Sequence, residues 1–151
     1  MNPRFILVPS IDDIPKIRPK NAFYAHMDGA DCPTSLALHQ QLKQIFELPE
    51  YFGDNMDALY DCLLDLEWIV EDNVILVIEH PDQLLIEHEE NDPDLISDVL
   101  ILFDEVAEGW QLYDGEEFTP KNFKIIMVAS SKMKLLLEEN EIEYELVSST
   151  K

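Results

Sequence analysis

Two stretches, NVILVIE at 73–79 and FKIIMVA at 123–129, run through apolar residues almost without a polar break. Short continuous apolar runs rich in β-branched side chains predict strands buried on both faces, as in a parallel sheet. NAFYAHMDG at 21–29 predicts a third strand, closed by an Asp-Gly turn. Between these runs the apolar spacing lengthens to three and four. A helix is expected over 34–46, capped by Thr34 or Ser35, with Leu38, Leu42, Ile45 and Phe46 on one stripe. Pro49 ends it, and Gly53 marks a turn before a second helix at 54–64. A third helix starts near Asp94 and is expected to stop before Gly109, with Leu95, Val99, Leu102, Phe103 and Val106 on its apolar face. SKMKLLLEEN then predicts a short helix and EIEYELV a last strand.

Strands alternating with helices define an α/β chain whose central, largely parallel sheet is flanked by helices. Residues 1–20 form an N-terminal extension: an apolar run at 5–8, expected as an edge strand, then a linker punctuated by Pro9, Pro15 and Pro19. The main domain spans 21–131. Residues 132–151 form a C-terminal extension whose helix and strand are expected to add to the sheet through a right-handed crossover.

Composition narrows the function. A chain of 151 residues, 46% hydrophobic, can bury a real core. Asp and Glu number 32 against 10 Lys and Arg, a formal net charge of -22. Such a field repels nucleic acid and anionic membrane and draws in cationic partners, including proteins that themselves bind nucleic acid. Cys32 and Cys62 are too few for a disulfide framework, and Cys62 falls in an apolar run as a small core residue. RFILVPSIDD has only four apolar residues before Pro9, which fits neither an export signal nor a membrane span, so the expected location is cytoplasmic. Four glycines build no phosphate loop, and there is no serine nucleophile elbow. His80 and His88 with Glu87, Glu89 and Glu90 match no metal-ligand spacing and fit a solvated acidic loop. No catalytic residue, metal or cofactor is expected.

The most informative stretch is LPEYFGDNMDALYDCLLD at 48–65. At about 100° per residue, Met56, Leu59 and Leu63 share the core side, whereas Asp57 and Asp61 project opposite, with Tyr60 at the boundary. Like charges four apart cost an isolated helix a few tenths of a kcal/mol. The dipole favours Asp57 in the first turn and helps Asp61 less. Tyr51 and Phe52 precede Gly53 in the entering loop. Aromatics beside carboxylates suit a surface with apolar anchors and charged specificity groups; a solvated acidic face and a core Phe52 are the plain alternatives.

LHQQLKQIFELPEYFGDNMDALYDCL at 38–63 resembles the barstar family, intracellular inhibitors of barnase-type ribonucleases, and the resemblance extends across roughly 21–131. It implies a barstar-like α/β fold and an immunity-type inhibitor, not an enzyme, that binds a basic ribonuclease or toxin domain one-to-one. By motif, Tyr51, Asp57, Asp61 and Glu105 would enter the ribonuclease cleft, and Gly53, Asn55 and Tyr60 would line the same surface. The sequence departs from the family at Tyr60, where tryptophan is common, and at Asp65 and Leu66, with Trp68 arriving later. The second family cysteine has no counterpart, and the connection at 109–122 is long. A second reading keeps the electrostatics without this constellation: an acidic nucleic-acid mimic that occupies a different cationic protein or a non-ribonuclease toxin.

Overall fold

In a computed structural model that describes residues 4–10, 12, 21–48, 56–112 and 121–147, both long apolar runs are neighbouring central strands. The strands are β1 (Phe5–Val8), β2 (Ala22–Asp28), β3 (Asn73–Glu79), β4 (Asn122–Val128) and β5 (Tyr144–Leu146), in the order β2-β3-β4-β1-β5. Every pairing is parallel, with Leu76 opposite Ile125 and Ile78 opposite Met127 at the centre. The helices are α1 (Ser35–Ile45), α2 (Met56–Leu63), α3 (Leu95–Leu112) and α4 (Ser131–Glu139).

Side chains alternate across a strand, so each run feeds two faces. Phe5, Leu7, Ala25, Met27, Leu76, Ile78, Phe123, Ile125 and Met127 join Leu38, Leu42, Leu59, Leu63, Phe103 and Val106 of the helices in one buried core. Val8, Ile75, Val77 and Ile126 form a smaller cluster on the other face. The α1 stripe behaves as the spacing predicts: Thr34 accepts from the Ala37 amide at 3.1 Å, and Leu38, Leu42 and Phe46 are buried. Phe46 stacks between Phe23 and Phe123, with ring centroids 6.2 and 6.1 Å away. Burial pushes the Cys32 thiol up to about 12 and raises that of Cys62, which keeps both as small apolar fillers.

Two expectations are corrected. The run at 5–8 is a strand, but not an edge: β1 lies between β4 and β5, with Phe5 opposite both Ile125 and Tyr144. Three of its four side chains are buried, so it needs cover on both flanks. The edge falls to β5, where Glu145 and Leu146 are exposed. The third helix also does not stop before Gly109; it continues to Leu112 and buries Trp110. Gly109 serves a close crossing instead, since a Cβ there would meet Leu64 Cδ2 at 2.9 Å. The helix thus runs three residues past the glycine.

Beyond β4, Ser130 caps α4 by accepting from the Met133 amide at 3.0 Å. Met133 and Leu137 are fully buried, and the Asn140 amide donates to Ser97 Oγ on α3 at 3.1 Å. Lys121, nearly buried just before β4, donates to the Ile69 and Glu71 carbonyls at 2.8 Å each. Desolvation lowers its pKa, and the two carbonyls hold the ammonium where it pins the link from α2 to β3.

Leu137→Ala should lose about 2–5 kcal/mol of unfolding free energy in urea titration, the cost of emptying a packed core site. A loss near zero would show that α4 does not pack. At the carboxyl ends of β2 and β3, His80 Nδ1 lies 2.9 Å from Asp28 Oδ1. That hydrogen bond raises the His80 pKa; the Ala30 amide, then His80, lower that of Asp28. The pair's contribution is therefore lost as pH rises through the raised His80 value or falls through the lowered Asp28 value. An NMR titration should place His80 above 6.5, and Asp28→Asn should bring it back down.

Candidate partner-binding groove

Helix α2 is amphipathic by spacing alone. Leu59, Cys62 and Leu63 are buried, Met56 and Tyr60 are half-buried, and Asp57 and Asp61 are exposed. On α3, Val99, Leu102, Phe103 and Val106 face the core while Asp98 and Glu105 stand in solvent. The two helices pack side by side through one seam. Across it the buried Trp110 indole N–H donates to the Leu63 carbonyl at 2.9 Å, satisfying an acceptor in the last turn of α2. Trp68, arriving just after α2, donates to the Phe46 carbonyl at 2.8 Å and ties that region to the end of α1.

Outside this seam the helices leave an open groove of about 480 Å³. Met56, Asp57 and Tyr60 line it from α2; Asp98, Ile101, Leu102 and Glu105 line it from α3. The structure thus brings together Asp57, Tyr60 and Glu105, three of the residues singled out by sequence. Asp61 does not line the groove; it is exposed one turn further along α2. Tyr51, Gly53 and Asn55 lie outside the described residues. Asp98 escaped the sequence reading. It sits seven residues, or nearly two turns, before Glu105 and so on the same face, a periodic signal that was available.

The groove's charge has no internal counterion among the described residues. The ion pairs run elsewhere: Arg4 to Asp104 at 2.8 Å, Lys132 to Glu89 at 2.7 Å, His26 to Glu79 at 2.8 Å and His80 to Asp28. Arg4 therefore neutralises the immediate neighbour of Glu105, and no cation among the described residues pairs with Glu105 itself. Exposed carboxylates facing one groove offer hydrogen-bond acceptors to a cationic side chain.

The other histidines resolve differently. His88 Nε2 accepts from the Ser35 amide at 3.0 Å, so it braces the start of α1, while His80 bonds Asp28. Glu87, Glu89 and Glu90 are exposed. Among the described residues, the metal-type grouping is a different set, Asp28, Glu79 and His80, whose ligand atoms lie within 4.8 Å of one another. No helix among the described residues is long and apolar enough to cross a membrane.

A parallel sheet backed by helices, with an anionic groove between two of those helices, defines a barstar-like α/β fold. The family model described as barstar, the barnase inhibitor, matches residues 22–127, and the chain belongs to the barstar family. A protein of Bacillus subtilis (strain 168) named "Putative ribonuclease inhibitor YrdF" is similar, with 46% identity over 37 residues. That match covers 24% of this chain and 41% of the relative, so the chain spans about two fifths of that protein's length. The family match includes β2, α1, α2, β3, α3 and all of β4 but Val128; β1 and β5 fall outside it while sharing the sheet, and α4 falls outside it while packing Met133 and Leu137 into the core.

Trp110→Phe keeps most of the ring volume but leaves the Leu63 carbonyl without its donor. It should cost about 1–3 kcal/mol in denaturant unfolding. A cost within about 0.5 kcal/mol would show that the seam does not depend on this bond.

Proposed function

We propose that this chain is an immunity-type inhibitor that acts in the cytoplasm, binding a basic ribonuclease one-to-one and blocking its active-site cleft. The observation that carries this reading is the groove itself: Asp57 and Glu105 face it from two helices, unmatched by any cation among the described residues. Membership of the barstar family supplies the target class.

A ribonuclease cleft holds RNA phosphates with Arg, Lys and His. Carboxylates on fixed helices take the same positions and form charge-assisted hydrogen bonds, but present no phosphodiester to cleave. Asp57, Asp61 and Glu105 fill this role, and Tyr60 supplies an aromatic rim to the groove. Tyr51, Gly53 and Asn55, outside the described residues, belong to the same partner-binding surface in this reading. The net charge of -22 attracts a basic partner over distance and speeds the encounter, an effect for which barnase and barstar are themselves the reference pair. The repulsion between Asp57 and Asp61 in the free helix is small beside what a fitted cation returns.

Calorimetry against a panel of barnase-type ribonucleases should find tight binding to at least one, weakening as salt rises. Asp61→Ala should cost about 2 kcal/mol or more, the threshold of an interface hot spot, while Glu90→Ala should stay within about 0.5 kcal/mol. Equal losses at both positions would favour a diffuse acidic mimic of nucleic acid. Failure to bind any ribonuclease would remove the inhibitor reading.

A further inference from the structure

We infer that Asp98 is a further specificity-determining residue of the groove, pairing with a second basic side chain of the partner beyond the one that Asp57 and Glu105 receive. This rests on the inhibitor reading above.

Asp98 lines the groove with Asp57, Tyr60 and Glu105 and is exposed. Seven residues separate it from Glu105, which places the two on one face of α3, about 10.5 Å apart along the axis. A single guanidinium cannot bond both at that separation. Between them Ile101 and Leu102, with Met56 across the groove, provide an apolar bed that suits the methylene stem of an arginine or lysine. Each end of that bed carries a carboxylate acceptor, so the groove is shaped for two cations.

The local chemistry explains why Asp98 is tolerated when the partner is absent. It lies in the first turn of α3, where the helix dipole favours a negative charge. Among the described residues no ion pair reaches it. A ribonuclease that fits must then present two basic side chains roughly 10 Å apart on its cleft rim, matching the rise of two helical turns. One that offers only the first would bind and be discriminated against, because Asp98 would be desolvated without a partner.

The test uses the full chain and whichever ribonuclease of the panel the wild type binds. Asp98→Lys should raise Kd by about tenfold or more, and Asp98→Asn should raise it by less and flatten the salt dependence. Glu139→Lys on α4, outside the groove, makes the same change in net charge and should shift Kd by less than about threefold. Equal effects of Asp98→Lys and Glu139→Lys would overturn the inference, leaving only long-range charge. So would an Asp98→Asn variant that melts lower but binds unchanged, since Asp98 would then be a helix-terminal charge and nothing more. If Asp57→Asn abolishes binding while Asp98→Lys does not weaken it, the inhibitor reading stands and this one falls. If the wild type binds no ribonuclease, both fall.

Discussion

In the proposed inhibitor role a carboxylate can replace a phosphate only if its backbone stays put, and the buried seam between α2 and α3 is what holds that backbone. Leu59 and Leu63 enter the same core as Phe103 and Val106, so neither helix can roll without exposing apolar surface. The Trp110–Leu63 hydrogen bond fixes the slide of one helix along the other, and Gly109 lets the α3 backbone come close to Leu64. Asp57 and Glu105 inherit their places from these contacts. Among the described residues no ion pair reaches either side chain.

Charge is distributed as deliberately as packing. In a chain so acidic, each cation fixes which carboxylate is cancelled. Arg4, just ahead of β1, bonds Asp104 through Nε and Nη2, and that hydrogen bond raises its own pKa above the usual guanidinium range. Had the same guanidinium reached one residue further, Glu105 would be neutral in effect and the groove would lose half of its opposed pair. Lys132 similarly answers Glu89, far from the groove. The acidic surface is therefore not uniform: among the described residues some of it is balanced internally, and the groove is left unbalanced.

The strands and α1 were legible in the sequence because their signals are local. Continuous apolar runs, the Thr34 cap and the Leu38–Leu42–Phe46 spacing need no knowledge of the rest of the chain. The facing of Asp57 and Asp61 was legible for the same reason. What the pattern hid was non-local. Gly109 looks like a stop signal until Leu64, forty-five residues earlier, is seen against it. Asp98 has the right helical phase, but only the approach of α2 turns that phase into a groove wall. The position of β1 was hidden too, because a strand's own residues do not name its neighbours.

That position has consequences for the ends of the chain. An apolar strand such as FILV left with one open flank would present unpaired amides beside buried-type side chains, an invitation to edge pairing with other chains. β5 closes that flank and offers Glu145 outward instead. α4 covers the adjoining core with Met133 and Leu137, and Asn140 joins it to α3. Arg4 then links the start of β1 to α3 one residue from Glu105. The segments outside the matched family span thus brace one wall of the groove, so α3 is held from the sheet side by β1 and from its amino-terminal turn by the residue that ends α4.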